Sequence, residues 1–477
     1  MTNKSFENLY DWDKIQELFN EFLPELIDMQ KNIKNNDPLL ELPEDKRLEI
    51  DNIGFKKEAR KPEEVTKQLI ENIYPYRMKI NHPKYFCFIP SATSPYSVFG
   101  EFLNSIYNPY GGGYTISPGP AEIEKETINY MGSLVGYEVK GLGGNFVSGG
   151  SMGNLTAAVT ARDDKLPLEK LSLGTVYLSD QTHSSMAKGL HIIGVPTENI
   201  RIISSNDNFQ MNSDELKSTI INDISNGFIP FLVVGSAGTT NTGSIDTLDE
   251  LASIAKEFNL WFHVDAAYGG SVLLSSHKDK LKGIEKSDSI TWDGHKWLFQ
   301  TYGCAVLICR DKLKLLKSFH ADPEYLKDVK STEDRFNFWD MGIELTKPAR
   351  ATKLWFTLQT LGLDNMKKTI DQGFIIADWI EEEISKYDDF EIVSHSQLGI
   401  INFRYKNDKF SETELDKINH RISENALKEN DSAFLTTILK NKTVLRFCCN
   451  NALTTKEDIQ SIILNIRKFI DINIENK

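Results

Sequence analysis

Lys296 is the first residue whose surroundings suggest chemistry. It stands in residues 292–297, WDGHKW, between an apparent strand and the apolar run 304–309. A lysine beside Trp297 and a strand end is expected to be partly desolvated. Desolvation lowers the pKa of an amine and exposes the lone pair that forms a Schiff base with an aldehyde. The alternative is a solvated surface lysine, because most lysines are of that kind.

Asp265 follows a predicted strand and begins a turn of small residues, in the run 262–270, FHVDAAYGG. Such a carboxylate can pair with a buried cationic nitrogen. At about 4 Å and an effective dielectric near 20, the attraction is about 4 kcal/mol, or roughly three pKa units. That is enough to keep a pyridine nitrogen protonated. A turn-forming or helix-capping aspartate is the alternative interpretation.

A glycine-rich turn, residues 148–154 with the sequence SGGSMGN, precedes a predicted helix over 155–162. Glycines let the backbone approach an anion, and the free amides and dipole of a helix start favour phosphate. The region is not a dinucleotide fingerprint, because Phe146 stands where a third glycine should follow Gly141 and Gly143. No GK[ST] triplet completes a nucleotide loop. The turn predicts either a phosphate cradle or an ordinary tight turn.

Two further strand exits carry polar groups. Residues 179–185, SDQTHSS, offer the imidazole of His183, which could stack on a flat cofactor or contact a carboxylate. Residues 235–243, GSAGTTNTG, form a small, hydroxyl-rich exit that contains Thr240. Taken alone, each segment is typical of a structural loop.

These segments need a scaffold that brings them together. From about 85 to 310, short β-branched or aromatic runs alternate with helical patterns and glycine-rich connections, which indicates a parallel βαβ architecture. The predicted strands are 175–178, 231–235, 261–264, 289–292 and 303–309. Because the carboxyl ends of parallel strands form the ligand crevice of an open α/β sheet, the polar segments are expected to meet there.

The flanking regions predict a helical arm and a smaller unit. Apolar residues recur at helical spacing over 12–27, where Pro24 is expected to kink or split the helix, and again after Pro62. Such an arm clasps a partner subunit or packs on its own chain. Further on, a helix over 351–361 and strands near 400–404 and 443–447 indicate an α+β unit. The predicted divisions are an N-terminal arm over 1–84, a large domain over 85–345 and a small domain over 346–477.

Composition limits the classes of function. The chain has 477 residues, of which 40% are hydrophobic and 26% charged, so it is long enough for several folding units and does not resemble a disordered chain. Its 54 basic and 68 acidic side chains give a net charge of −14 without a basic cluster, which argues against nucleic acid and anionic membranes as partners. Five cysteines without a CxxC motif predict neither a disulfide framework nor a zinc site. No secretory leader or membrane-spanning run is evident, so the cytoplasm is the expected compartment.

Together the polar segments describe one site. A phosphate cradle, a ring-stacking imidazole and an acidic residue 31 positions before a lysine are the parts of a site for pyridoxal 5'-phosphate (PLP). In this order and wording they resemble the group II, aromatic-type PLP-dependent amino-acid decarboxylases of fold type I. The resemblance extends from 82–86, HPKYF, through 346–350, TKPAR, to Leu445 and Arg446. It implies an aspartate-aminotransferase-like α/β fold with a mainly parallel central sheet, and a homodimer with active sites at the subunit interface.

Residues 179–190, 238–246 and 288–304 are most similar to the bacterial tryptophan decarboxylases. The similarity implies that Lys296 is the Schiff-base lysine and that Asp265 pairs with the pyridine nitrogen. The other implied cofactor contacts are His183 and Ala267 on the two faces of the ring, Gly150, Ser151 and His295 on the phosphate, and Thr240 in the pocket wall.

The same similarity implies an aromatic substrate pocket of mostly flat, apolar side chains, some of them from the neighbouring subunit. Its predicted members are Phe88, Tyr110, Ile116, Val329 and Trp339. Tyr110 departs from the histidine of these relatives. The predicted reaction converts L-tryptophan to tryptamine and CO₂, with tyrosine or phenylalanine as alternative substrates. Arg350 and Arg446 are candidates for a carboxylate clamp, although we interpret both as structural.

The charge-rich stretch before Trp339 is expected to be a lid that closes over bound substrate. In many animal and plant relatives a lid tyrosine reprotonates the substrate carbon, and Phe336 stands near that place. In plant members, phenylalanine there accompanies aldehyde formation, so an aromatic aldehyde synthase is an alternative. We favour amine formation, with Tyr325 or His183 as the acid.

Overall fold

The structure is a computed structural model and describes residues 7–90, 92–320, 337–429 and 431–475. The α-helices of these ranges are α1 (Trp12–Lys31), α2 (Glu44–Asp51), α3 (Pro62–Asn72), α4 (Pro95–Tyr107), α5 (Pro118–Val135), α6 (Gly150–Lys165), α7 (Ser184–Ile192), α8 (Ser213–Ser225), α9 (Leu248–Glu257), α10 (Lys312–Phe319), α11 (Ala351–Leu361), α12 (Leu363–Ile384), α13 (Glu412–Lys428) and α14 (Lys456–Ile470). The strands are β1 (Gly143–Val147), β2 (Gly174–Ser179), β3 (Ile200–Ile203), β4 (Ile229–Ser236), β5 (Trp261–Asp265), β6 (Ser289–Asp293), β7 (Ala305–Cys309), β8 (Phe390–Ser394), β9 (Ile400–Tyr405), β10 (Leu435–Leu439) and β11 (Lys442–Cys448).

A seven-stranded sheet forms the centre of the chain, in the order β1-β7-β6-β5-β4-β2-β3. Strands β2 to β6 run parallel, whereas β7 is antiparallel to both of its neighbours, β1 and β6. The strands are short apolar runs, and β2, β6 and β7 are buried along their whole length. Near-continuous burial is typical of strands covered on both faces. The predicted α/β fold with a mainly parallel central sheet is confirmed.

The carboxyl ends of four parallel strands carry polar side chains to one edge of this sheet. β2 ends at Ser179, β4 at Ser236, β5 at Asp265 and β6 at Asp293. The predicted strands 261–264 and 289–292 thus each extend by one residue, and the added residue is an aspartate. The predicted strand 303–309 starts two residues late, because Gly303 has φ +78°, which a strand cannot accommodate.

The helix after the glycine-rich turn is longer than predicted. α6 begins at Gly150, whereas the apolar pattern predicts a helix only over 155–162. Its first turn is made of small and polar residues, so hydrophobic periodicity does not reveal it. A Cβ at Gly153 would lie 2.7 Å from the side chain of Thr291 on β6. Glycine therefore lets this helix pack directly against the sheet.

A second, antiparallel sheet has the order β10-β11-β9-β8. Its core includes the rings of Phe86 and Phe447, whose centroids are 5.0 Å apart. α14 covers the core with isoleucines at helical spacing, namely Ile459, Ile462, Ile463, Ile466 and Ile470. This is the predicted α+β unit, and the residue boundaries between the domains stay a prediction.

The N-terminal segment begins with one long helix. α1 runs from Trp12 to Lys31 through Pro24, so of the two predicted effects of this proline, a kink or a split, the split is wrong. A proline removes a single N–H from the helix ladder, and the turns on both sides keep their own hydrogen bonds. Part of the apolar stripe of α1 is exposed on the single chain, although Phe19 packs edge-on against Phe102 of α4, with ring centroids 5.4 Å apart. In the described ranges no helix combines the length and the apolar character that a bilayer crossing requires.

Candidate active site

A cavity of about 230 Å³ lies where the parallel strands end. Every residue that the sequence assigns to cofactor binding lines this cavity. Its wall is formed by Gly149, Gly150, Ser151, Asn154, His183, Ser185, Ser236, Gly238, Thr239, Thr240, Asp265, Ala267, Tyr268, Asp293, His295 and Lys296. Strand ends that are far apart in sequence therefore meet in one site, as parallel topology predicts.

Lys296 lies in the turn that follows β6. Its side chain is 19% exposed, and its Nζ lies 3.2 Å from Oδ2 of the buried Asp293. Trp297 is fully buried and stacks on Tyr268, with ring centroids 5.1 Å apart. The expected partial desolvation of the lysine is confirmed, and the structure adds an acidic partner. Lys296 therefore lines the cavity with its amine beside the Asp293 carboxylate.

Asp265 is the last residue of β5 and lies at the side of the cavity formed by α6. Its Oδ1 accepts a hydrogen bond from the backbone N–H of Ala267 at 3.1 Å. Its Oδ2 accepts one from Nδ2 of Asn154 at 2.8 Å. Two donors fix the plane of the carboxylate, so this is a held acidic group and not a mobile surface aspartate.

The glycine-rich turn places the N-terminus of α6 against the cavity. The amides of Gly150 and Ser151 belong to the first helical turn, where N–H groups have no partner within the helix. His295 lies across from them, and its Nδ1 donates to the carbonyl of Cys304 at 2.9 Å. Burial lowers the pKa of His295 below its ordinary value, because the charged imidazole loses hydration. The unpartnered amides suit an anion. Because Nδ1 is bound to Cys304, the imidazole can donate to that anion through Nε2 only when the ring is protonated.

His183 caps the start of α7 with its ring. Its Nδ1 accepts the backbone N–H of Ser185 at 3.2 Å and lies 2.8 Å from the Oγ of the same serine. Thr240 follows β4, and its carbonyl oxygen accepts hydrogen bonds from Nε and Nη2 of Arg446 at 3.0 and 2.6 Å. Both residues are therefore positioned by neighbours that bind their backbone or ring.

The four predicted substrate residues that the structure describes, Phe88, Tyr110, Ile116 and Trp339, do not line the cavity. Trp339 is buried and lies beside Tyr110, with ring centroids 6.0 Å apart. Phe88 and Ile116 are 49% and 56% exposed on the single chain. Val329 and the two candidate lid positions, Tyr325 and Phe336, lie outside the described residues. The aromatic pocket thus stays a prediction.

Trp339 is held by the glycine-rich turn 111–113. Its backbone N–H donates to the carbonyl of Gly112 at 3.1 Å, and the N–H of Gly111 donates to the carbonyl of Lys347 at 2.7 Å. A Cβ at Gly113 would overlap the Trp339 ring. Glycine is therefore required where the indole packs.

Several polar residues of the site were not assigned from the sequence, and three of them contact residues that were. Asp293 pairs with Lys296, and Asn154 and Ser185 contact Asp265 and the imidazole respectively. Asp293 could have been found by the rule that strand ends carry chemistry, since it ends β6. Asn154 and Ser185 end the two polar segments 148–154 and 179–185, and only the three-dimensional contacts show which groups they bind.

The donor set matches the chemical groups of PLP. Helix amides and an imidazole suit its phosphate, a held carboxylate suits its ring nitrogen, and the amine of Lys296 suits its aldehyde. The cradle depends on the missing side chain of Gly150. A Cβ there would lie 3.0 Å from Oδ2 of Asp293 and 3.3 Å from the Cβ of Ala267. The site therefore fits this cofactor.

Comparisons with known proteins agree. Residues 43–406 match the family model described as the pyridoxal-dependent decarboxylase conserved domain. An aromatic-L-amino-acid decarboxylase of Bacillus atrophaeus is 35% identical over 411 residues, covering 85% of this chain and 85% of that protein. Tyrosine decarboxylase 2 of Narcissus pseudonarcissus is 31% identical over 414 residues, covering 83% and 82%. A crystal structure of Oryza sativa TDC with PLP and tryptamine has a TM-score of 0.91 at 25% identity, covering 96% of this chain and 97% of that one.

These matches confirm the predicted resemblance, the fold type I architecture and PLP as the cofactor. The names of these relatives state different substrates. The family therefore indicates PLP-dependent decarboxylation but does not identify the side chain of the substrate. The chain belongs to the family of pyridoxal-dependent decarboxylases and resembles its group II, aromatic-type members.

Proposed function

We propose that this protein is a cytoplasmic enzyme that decarboxylates an aromatic L-amino acid, with L-tryptophan as substrate and tryptamine and CO₂ as products. The observation that carries the proposal is the convergence of Lys296, Asp265 and His183 on one cavity beside a phosphate cradle. The structural neighbour with bound tryptamine supports tryptophan. The Narcissus relative favours tyrosine as the alternative substrate.

Each residue has a distinct task in this proposal. When bound, PLP supplies an electron sink for the electron pair that CO₂ leaves on the substrate carbon. The Nζ of Lys296 would hold the cofactor's aldehyde. The carboxylate of Asp265 would keep a proton on the ring nitrogen. The amides of Gly150 and Ser151, together with His295, hold the phosphate.

The contacts of Arg350 and Arg446 support a reaction in which the substrate loses its carboxylate. Arg350 binds both carboxylate oxygens of Glu344, at 2.7 and 2.8 Å. Arg446 donates to the carbonyls of Thr240 and Cys87. Both guanidinium groups are therefore occupied by the protein, as the structural interpretation predicts. A substrate carboxylate that is weakly stabilised in the ground state is easier to lose in the transition state.

The described residues offer His183 as the acid that returns a proton to the substrate carbon. It lines the cavity, and its Nδ1 is engaged by Ser185, so Nε2 is the nitrogen left for the ligand. Tyr325, the other candidate, lies outside the described residues and stays a prediction. Protonation at carbon yields the amine, whereas attack by oxygen at the same carbon would yield an aldehyde.

A homodimer would complete the aromatic pocket. Phe88 and Ile116 are about half exposed, as are Phe99 of α4 and Leu23 of α1, so the single chain leaves large apolar side chains uncovered in several elements. Exposed patches of this kind mark association surfaces. Sedimentation analysis should show a dimer. A Lys296→Ala chain mixed with an Ile116→Asp chain should regain part of the activity that each lacks alone, and no regain would contradict a shared site.

The test is product analysis with tryptophan, tyrosine, phenylalanine and glutamate as separate substrates. We expect tryptamine and CO₂ in equal amounts from tryptophan, at a higher kcat/KM than for the other three. A higher kcat/KM for tyrosine or phenylalanine would overturn the substrate assignment. Indole acetaldehyde with ammonia and peroxide would identify an aldehyde synthase instead.

A further inference from the structure

Asn154 connects two of the proposed site residues. It lies on α6, is 1% exposed and contacts three polar side chains. Its Nδ2 donates to Oδ2 of Asp265 at 2.8 Å and to Oγ of Ser185 at 3.1 Å. Its Oδ1 lies 3.1 Å from Nε2 of His263. Both N–H groups and the oxygen of this buried amide therefore have hydrogen-bond partners.

Trp261, Ser289, His263, Asn154 and Asp265 form a chain of hydrogen bonds, and the two end groups determine the direction of every bond in it. The indole Nε1–H of Trp261 can only donate, and it donates to Oγ of Ser289 at 2.9 Å. The carboxylate of Asp265, at the other end, can only accept. The reverse orientation of the Asn154 amide would set its oxygen against that carboxylate, so Nδ2 faces Asp265 and Oδ1 must accept from His263.

His263 therefore carries its proton on Nε2. Its Nδ1 lies 2.8 Å from Oγ of Ser289, which donates its single proton there. Burial lowers the pKa of His263 to about 4, so the ring is neutral and acts once as donor and once as acceptor. The chain runs in one direction from the indole of Trp261 to the carboxylate of Asp265.

A second branch leads to His183. The hydroxyl of Ser185 accepts from Asn154, and its own proton points to Nδ1 of His183 at 2.8 Å. The backbone N–H of Ser185 donates to the same nitrogen. Two donors on Nδ1 leave the proton of a neutral His183 on Nε2.

We propose that Asn154 is a positioning residue that sets two groups at once. It orients the carboxylate of Asp265, and through Ser185 it holds His183 as the Nε2–H tautomer, with that N–H available to the ligand. The inference rests on the proposed roles of Asp265 and His183 toward PLP. It adds the prediction that the buried amide of Asn154 positions both Asp265, the partner of the ring nitrogen, and His183, the proposed acid.

The first test measures PLP affinity of the apoprotein by absorbance titration. Asn154→Asp keeps the shape of the side chain but replaces both N–H donors by an oxygen, and Asn154→Ala removes the amide without adding a charge. A hydrogen bond to a charged group corresponds to a change of about tenfold to a hundredfold, so we expect weaker PLP binding of that order in both variants. Affinity within twofold of the wild type in both would overturn the proposal.

A buried asparagine outside the site provides the control. Asn419 on α13 is fully buried, and its Nδ2 donates to the carbonyls of Tyr405 and Leu415. Asn419→Ala should lower the stability of the protein and leave PLP affinity unchanged. Equal losses of affinity in the Asn419→Ala and Asn154→Ala variants would assign Asn154 a merely structural role.

The second test needs no variant that might fail to fold. Nitrogen-15 NMR of histidine-labelled wild-type apoprotein reports which ring nitrogen carries the proton. We expect Nε2–H for both His183 and His263, and a partial shift of His183 toward Nδ1–H in Ser185→Ala. A proton on Nδ1 of either ring in the wild type would overturn the proposed chain.

Asp265→Asn separates this inference from the proposed function. Unchanged PLP affinity and turnover in Asp265→Asn would overturn the role of the carboxylate, and the role of Asn154 with it. Large losses in Asp265→Asn together with wild-type behaviour of both Asn154 variants would overturn the inference alone.

Discussion

Oδ2 of Asp293 lies 3.2 Å from Nζ of Lys296 and 3.6 Å from Nε2 of His295. Asp293 is 2% exposed, and its Oδ1 has no hydrogen-bond partner within the described ranges. One buried carboxylate thus stands between the amine proposed to bind the aldehyde and the imidazole proposed to bind the phosphate. A substitution that crowds this carboxylate should therefore change the affinity for PLP.

Gly150→Ala should weaken PLP binding about tenfold, or ~1.4 kcal/mol. The new Cβ would press on Asp293 and on the Cβ of Ala267, both within 3.3 Å. Gly119→Ala is the matched control, because a Cβ there meets nothing within 4 Å. Absorbance titration of the two apoproteins measures the difference, and equal affinities would remove Gly150 from the phosphate cradle.

Gly113→Ala should displace the Trp339 ring and raise KM for tryptophan by about tenfold, on the order of the 0.5–1.5 kcal/mol that an aromatic pair contributes. Trp339→Ala should have the same effect, and both variants should bind PLP with nearly wild-type affinity. Steady-state kinetics and PLP titration check the two halves of this prediction. A KM for tryptophan that does not change in Trp339→Ala would place the substrate elsewhere.

Lys347 and Glu124 form a buried ion pair beneath the segment that carries Trp339. Nζ of Lys347 lies 2.5 Å from Oε1 of Glu124 and also donates to Oδ1 of Asn145. Lys347→Met leaves an unpaired buried carboxylate, so we expect a loss of about 3–5 kcal/mol in the free energy of unfolding. Adding Glu124→Gln should restore part of that loss, since the amide oxygen can still accept from Phe146. Urea denaturation of both variants checks this, and an additive loss in the double variant would contradict it.

His263 predicts an acid-sensitive fold. Its pKa is about 4 in the folded chain and about 6.5 when unfolded, so the unfolded state binds more protons between these values. Stability from this group is complete above pH 6.5 and falls by about 3 kcal/mol as the pH drops to 4. Asp246, whose pKa burial raises to about 6, has the opposite slope, because its contribution is lost as the pH rises through 6. The comparison of wild type with His263→Gln in urea at pH 4.5 and 7 isolates the histidine, and identical slopes would contradict its low pKa.

The sheet could be predicted from sequence because its strands are apolar runs that end in polar groups. The α-helix at 351–361 has the predicted bounds for the same reason, since its apolar face repeats at helical spacing. The first turn of α6 could not be predicted, because Gly150 and Gly153 contribute packing space and no apolar pattern. The continuity of α1 through Pro24 depends on the neighbouring turns, and proline alone predicts either a kink or a split.

The segments that hold the cofactor residues could be found because each lies at a strand end or a helix start, and the resemblance to the decarboxylases implied the role of each residue. Some residues that orient them were not predicted, since their partners are distant in sequence. Asn154 and Asp265 are separated by 111 positions, and Gly113 meets Trp339 only through packing. Contacts of this kind follow from the tertiary fold, and local pattern contains no signal for them.

The most direct test of the account is to reduce the PLP-loaded protein with borohydride and map the labelled peptide. We expect a single label on Lys296, and no label on a folded Lys296→Ala variant that has also lost turnover. A label on a different lysine, or near-normal turnover of Lys296→Ala, would contradict the assignment on which the proposed function depends.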